Sequence, residues 1–174
     1  RLYASADARL QVVAGQPVRG ADASIVLEPV SALADALAER FRFTGAGVEL
    51  RVPEHDRPRL RRLLTQQLLL VREDAHGHAI EATYLQAPGA LDALYAAADG
   101  AVLGAMPHGD ATDFALWAPT ARAVAVCLYA DATGPARESL PLQRDIASGT
   151  WSATLPRDRR GDYYTYLVDV FVPG

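Results

Sequence analysis

The fold of this chain is decided by one stretch, Phe114-Ala115-Leu116-Trp117-Ala118-Pro119-Thr120-Ala121, and by the run that follows, Val124-Ala125-Val126-Cys127-Leu128-Tyr129. Both runs consist of the apolar, aromatic and β-branched residues that favour strands. At the end of the first stretch, Ala118-Pro119 predicts a turn between the two strands, because proline fixes φ and has no N–H to donate to a sheet. Two strands joined by a short turn predict the start of a β-sandwich.

The sequence after this stretch continues as a series of strands. We predict five of them, at about 112–118, 121–130, 139–143, 150–155 and 162–172. In the last one, alternation places Tyr164 and Tyr166 on one face and Tyr163 and Leu167 on the other. Because both faces are largely apolar or aromatic, we expect a central strand or a strand covered by a neighbouring domain.

The first hundred residues mix strand and helix patterns. Short strands are predicted at 10–13, 25–27, 48–52, 68–71 and 79–85, with helices from about Ser31 (Leu33, Leu37 and Phe41 on one face), Pro58 and Pro88. A polar link at 104–110 then leads into the β region. We therefore predict a mainly β protein of two small domains, 1–99 with mixed strands and helices and 100–174 a β-sandwich.

Composition excludes several classes of function. The chain has 174 residues, about half of them apolar, which is enough for a core but too short for an α/β barrel of roughly 250 residues. A net charge of −4 argues against a nucleic-acid partner. No apolar run reaches the roughly 18–20 residues that span a bilayer, so no membrane span is predicted. The chain lacks an initiator Met and stops just after a strand, so we expect a longer parent protein.

No constellation of residues indicates catalysis, a metal or a cofactor. A retaining glycosidase needs two carboxyl groups about 5–5.5 Å apart, and no pair of acidic residues stands out. His76 and His78 flank Gly77 in a hairpin pattern, with no further His or Cys nearby to complete a metal site. The single cysteine, Cys127, has strand neighbours on both sides and is predicted to be a buried thiol. We therefore predict no catalytic residue, no metal ligand and no cofactor.

Trp117 is the candidate carbohydrate-binding residue. An indole ring stacks on the apolar C–H face of a sugar, while hydroxyl groups need polar partners nearby. The alternative interpretation is that Trp117 packs against neighbouring structure. Trp151, in an alternating strand, is predicted to belong to the core.

Four phrases of the sequence follow one another in the order of a known family. They are Pro88-Gly89-Ala90-Leu91-Asp92-Ala93-Leu94-Tyr95, Leu116-Trp117-Ala118-Pro119-Thr120-Ala121, Gly149-Thr150-Trp151-Ser152-Ala153-Thr154-Leu155 and Gly161-Asp162-Tyr163-Tyr164-x-Tyr166. Together they resemble the N-terminal domain of bacterial pullulanases followed by the isoamylase-type module classed as carbohydrate-binding module family 48. One motif departs from the family, because its usual Lys-Gly is Thr65-Gln66 here. The position of Trp117 resembles the first of two tryptophans that grip glycogen in related modules, whose second tryptophan lies in a loop after the second strand. The corresponding loop here, 131–137, contains no aromatic residue, so binding would be weak.

This resemblance implies a non-catalytic N-terminal segment of a starch- and pullulan-debranching enzyme, ahead of a glycoside hydrolase family 13 barrel that cleaves α-1,6 branches. It also implies a β-sandwich-like domain with helical insertions for 1–99 and an immunoglobulin-like β-sandwich for 100–174. The implied role is architectural, with the barrel of the same polypeptide as partner and a branched α-glucan as a further candidate partner. The chain alone is then not an enzyme, and the resemblance favours a secreted or periplasmic location. Two alternatives stay open: an autonomous starch- or glycogen-binding module, and an immunoglobulin-like protein-interaction domain.

Overall fold

The computed structural model describes residues 1–30, 39, 42–43, 48–85 and 88–172. The helix predicted from Ser31, with Leu33, Leu37 and Phe41, lies outside the described residues. Two compact units are present, one formed by Arg1–Leu63 with Gln67–Leu85 and the other by Leu64–Gln66 with Gln86–Gly174. The domain boundary at residue 100 stays a prediction. The second compact unit already includes the residues from 86 onward.

The first unit is built on a four-stranded antiparallel sheet with the order β2-β1-β5-β6. Its strands are β1 (Leu2–Ser5), β2 (Ala23–Ile25), β5 (Gln67–Glu73) and β6 (Ala79–Tyr84). A separate two-stranded ribbon consists of β3 (Glu28–Pro29) and β4 (Leu50–Arg51). One face of the larger sheet buries Leu69, Val71 and Ala79 against Leu10.

The predicted hairpin between β5 and β6 is confirmed. The Asp74 carboxylate accepts the backbone N–H groups of His76 at 2.8 Å and His78 at 2.9 Å, which is the usual way aspartate closes a turn. These bonds, that from His78 first, lower the pKa of Asp74 below its ordinary value. Both histidines thus lie in a surface turn rather than along a strand.

Four predictions for the first unit, three strands and one helix, are corrected. Residues 10–13 form no strand, only an isolated bridge from Gln11 to Arg19. The strands predicted at 25–27 and 48–52 are shifted or shorter, as β2 and β4. The helix predicted from Pro58 is a 3-10 helix, Glu54–Arg59, followed by one α-helical turn, Leu60–Leu63. It stops early because Gln67 enters β5, where its side-chain oxygen accepts the buried Leu10 N–H at 2.8 Å.

The second unit is an antiparallel β-sandwich. Its strands are β7 (Gly104–His108), β8 (Ala111–Trp117), β9 (Ala123–Tyr129), β10 (Glu138–Pro141), β11 (Gln143–Arg144), β12 (Thr150–Pro156) and β13 (Tyr163–Asp169). They form sheets of order β11-β12-β8-β7 and β10-β9-β13, the four-plus-three arrangement of small immunoglobulin-like domains. A helix, Pro88–Leu94, and a 3-10 turn, Ala96–Ala98, precede them.

The core of the second unit is filled from both sheets. Its buried side chains are Phe114, Ala121, Val124, Val126, Leu128, Leu142, Trp151 and Leu155. Trp151 is 7% exposed, so its predicted place in the core is confirmed. The predictions of a mainly β protein and of two small domains are confirmed as well. Among the residues described, no helix combines the length and apolar character needed to cross a lipid bilayer.

One prediction for the second unit is wrong and another is narrowed. The polar link at 104–110 contains strand β7, which pairs with β8 across a tight turn. The sheet hydrogen bonds of this pair come from the backbone, so the glycine and proline residues of the segment did not indicate a strand. Strand β13 is the edge of its sheet, because it pairs with β9 alone among the described strands, so the central-strand alternative is excluded; a strand covered by a neighbouring domain stays a prediction. Its alternation is confirmed: Tyr164 and Tyr166 lie opposite the buried Leu128 and Val126.

Replacing Phe114 by Ala is expected to destabilise the second unit by about 3–5 kcal/mol, because a fully buried ring leaves a cavity. Leu167→Ala, on the exposed face of β13, is the matched control and is expected to change stability by no more than about 0.5 kcal/mol. Urea denaturation followed by tryptophan fluorescence measures both, since Trp117 and Trp151 are the two tryptophans of the chain and lie in this unit. Equal effects of the two substitutions would contradict the placement of the core.

Candidate functional site around Trp117

Trp117 is the last residue of β8 and lies on the outer face of its sheet. Phe114 and Leu116 point into the core, so alternation places Trp117 on the opposite face, directly across from Thr150 of β12. The indole is half-buried. Its Nε1 donates a hydrogen bond to the Ser148 carbonyl oxygen at 2.9 Å, which fixes the orientation of the ring.

The loop that receives this hydrogen bond is itself held in place. The Asp145 carboxylate accepts hydrogen bonds from the Ser148 hydroxyl at 2.7 Å and from the Ala147 backbone N–H at 3.0 Å. These bonds, the Ser148 hydroxyl first, hold the pKa of Asp145 below its ordinary value. The carbonyl that Trp117 contacts therefore belongs to a preorganised turn.

Three hydrogen bonds hold the turn that follows Trp117. Ala118 donates its N–H to the Gly149 carbonyl at 3.2 Å and accepts the Trp151 Nε1–H at 2.9 Å. The Arg144 guanidinium donates to the carbonyl of the buried Pro119 at 2.7 Å. The Trp-Ala-Pro phrase and the Gly-Thr-Trp phrase of the sequence thus bind one another across the sheet.

Tyr95 packs the segment that precedes the sandwich against the sandwich itself. Its side chain is 1% exposed, and its hydroxyl accepts a hydrogen bond from Arg144 at 3.3 Å. The ring lies against Gly149 and Pro119, so closely that a Cβ on Gly149 would stand 2.9 Å from the Tyr95 ring and 2.7 Å from Pro119 Cβ. Only glycine leaves room for both rings at this point.

An open concavity of about 260 Å³ lies between this segment and the indole. It is lined by Asp92, Tyr95, Ala98, Asp99, Leu103 and Trp117. A half-exposed indole, an exposed leucine and two carboxylates are groups that contact the C–H face and the hydroxyls of a sugar. A larger concavity in the first unit has no aromatic residue among its described lining residues, so it lacks a stacking surface.

Asp92, Asp99 and Leu103 were not predicted from the sequence as site residues. They come from the helix and the turn before the sandwich, which local patterns cannot bring next to Trp117. The one available signal was the helix predicted from Pro88, whose apolar stripe of Leu91, Leu94 and Tyr95 must pack against other structure.

The other residues considered in the sequence play structural parts. Cys127 is buried in β9, as predicted, with its Sγ 3.6 Å from the Ser139 hydroxyl. Tyr164 packs edge-on against Phe114 and Tyr166, while Tyr163 is on the other face, so the three tyrosines form no common platform. As expected of turn aspartates, the following accept backbone N–H groups two residues further on: Asp131, Asp145 and Asp158.

Replacing Gly149 by Ala is expected to destabilise the second unit by about 1–3 kcal/mol more than replacing Gly161 by Ala. Both glycines have a positive φ, 69° and 89°, so backbone strain is common to the two variants. A Cβ at Gly161 would meet nothing within 4 Å, whereas at Gly149 two rings must move. Urea denaturation followed by tryptophan fluorescence gives the difference, and equal losses would show that the packing of Tyr95 and Pro119 is not tight.

Known protein families match nearly the whole chain. The pullulanase N2 domain matches residues 1–93, and carbohydrate-binding module 48, the isoamylase N-terminal domain, matches residues 102–172. The chain is 31% identical to the pullulanase of Klebsiella pneumoniae over 174 residues, 99% of this chain and 15% of that protein. It is 41% identical over 115 residues to the chloroplastic pullulanase 1 of Arabidopsis thaliana, 66% of this chain and 12% of that protein.

A solved structure agrees with these matches. The crystal structure of Klebsiella pneumoniae pullulanase complexed with maltotriose superposes with a TM-score of 0.79 at 28% identity, covering 99% of this chain and 16% of that one. The chain thus spans less than one fifth of the length of these pullulanases. The family inferred from the sequence phrases is confirmed: the chain belongs to the pullulanase N2 domain family in its first part and to carbohydrate-binding module family 48 in its second.

Proposed function

We propose that this chain is a non-catalytic, architectural segment of a bacterial pullulanase-type debranching enzyme, packed beside an α-amylase-type barrel of the same polypeptide. Its two domains follow one another as in the Klebsiella pneumoniae pullulanase, of which it matches 15%. The reaction belongs to the barrel under this proposal. The chain itself supplies a rigid surface.

The observation that carries the architectural role is the apolar outer side of β13. Tyr163 is 53% exposed and Leu167 is 64% exposed, on an edge strand that contains no proline and only one charged residue, Asp169 at its end, which pairs with Arg122. Monomeric domains usually protect such edges with charge, proline or a covering element. A neighbouring domain of the same polypeptide would provide the cover, in line with the expectation from the sequence that this strand is either central or covered by a neighbouring domain.

The test is a chimera in which this chain replaces the matching region of the Klebsiella pneumoniae pullulanase. In this chimera, the double variant Tyr163→Ser and Leu167→Ser is expected to lose its pullulan-hydrolysing activity severalfold faster at elevated temperature, because apolar contact area between β13 and the barrel would be lost. Ile146→Ser, at a residue 68% exposed in a loop, is the control and should leave the half-life of that activity unchanged. A double variant as durable as the control would refute the packing of β13 on the barrel.

A second function is supported by the concavity at Trp117, namely weak contact with an α-glucan. The indole, held through Nε1, presents its ring beside two carboxylates, and the second domain belongs to a carbohydrate-binding family. The volume of about 260 Å³ is below the roughly 300–1,000 Å³ of typical ligand pockets. One accessible aromatic ring in so small a site supports a Kd in the high-micromolar to millimolar range, roughly −4 to −6 kcal/mol.

The two tryptophans provide an internal control for this function. In ¹H–¹⁵N spectra, each indole N–H gives one signal, and titration with maltotriose or maltoheptaose is expected to shift the Trp117 signal saturably. The Trp151 signal should stay in place, because that ring is in the core. If neither signal moves at ligand concentrations up to about 10 mM, any binding is weaker than roughly −3 kcal/mol. Glucan contact at Trp117 is then refuted, and the protein-interaction alternative gains support.

A further inference from the structure

We propose that residues 92–103, which span the junction of the two family matches, form one wall of the Trp117 site and recognise sugar hydroxyls through Asp92 and Asp99. This inference rests on the glucan contact proposed above. The pullulanase N2 match ends at residue 93 and the module 48 match begins at residue 102, so neither contains all the residues of the concavity. The site would be assembled from both sides of that gap.

The helix and the turn that precede the sandwich belong to the same compact unit as the sandwich. Residues 86–174 belong to one unit, which includes the helix Pro88–Leu94 and the turn Ala96–Ala98. The helix has no fully buried side chain of its own. Tyr95, which directly follows it, is 1% exposed and lies against Gly149 and Pro119. Tyr95 is therefore the positioning residue that holds the wall in place.

The charges of the wall define the chemical class of the ligand. Asp92 and Asp99 are both exposed at the concavity, and neither has an ion-pair partner within the described part of the chain. Ionised carboxylates only accept hydrogen bonds, so they suit the hydroxyl donors of a sugar. Two acidic residues in one small concavity disfavour an anionic ligand. The arrangement fits a neutral glucosyl unit whose C–H face lies on Trp117 and whose hydroxyls donate to the two aspartates.

The experiment uses the whole chain, with maltoheptaose as the probe and the Trp117 indole signal as the readout. Asp92→Ala with Asp99→Ala is expected to raise the Kd about fivefold to tenfold, as expected for lost hydrogen bonds to charged groups at an exposed site. Asp110→Ala, an exposed aspartate in the β7–β8 turn, is the matched control and should bind like the parent chain.

The outcomes separate this inference from the function on which it rests. If the parent chain binds and the double variant binds equally well, the role of Asp92 and Asp99 is wrong while glucan contact at Trp117 stands. If the parent chain does not bind, both fail.

Tyr95 is tested by two substitutions in the same titration. Tyr95→Ala is expected to weaken maltoheptaose binding at least as much as the double aspartate variant, because the wall loses its anchor. Tyr95→Phe keeps the ring between Gly149 and Pro119 and is expected to restore binding. Weak binding by both variants would contradict an anchoring role for the ring.

Discussion

The structure of the second unit depends on the hydrogen bonds that fix the Trp-Ala-Pro turn. Carbonyl groups of Ser148, Ala118 and Pro119 receive N–H donors from Trp117, Trp151 and Arg144. Burying an indole or guanidinium N–H group costs free energy unless it donates a hydrogen bond, so these bonds help two large aromatic residues to flank one turn. Pro119 of this turn and Gly149 also line the space that the Tyr95 ring occupies.

This constraint explains how phrases that lie far apart in this sequence depend on one another in the fold. The glycine before Thr150 must lack a side chain because Tyr95 and Pro119 occupy the space. The aspartate that begins the loop, Asp145, orients the carbonyl that Trp117 needs. The motifs are therefore first of all structural, and the sugar contact proposed at Trp117 uses a ring that the fold already holds rigid.

The two proposed roles use different sides of the second unit. Strand β13 offers an apolar edge that suits a neighbouring protein domain, whereas the Trp117 concavity offers an indole ring and two carboxylates that suit a small neutral ligand. An architectural segment can carry both, because each surface is supported by the same core between the two sheets.

The sequence by itself determined the mainly β class, the strands around the sandwich core, the β5–β6 hairpin and the family. Local alternation and turn chemistry act over a few residues, so they can be read directly from the chain. Tertiary structure alone decided that β13 is an edge, that 104–108 is a strand, and that Asp92 and Asp99 lie beside Trp117. Strand order and the docking of Tyr95 depend on contacts between residues distant in the sequence, which no local pattern records.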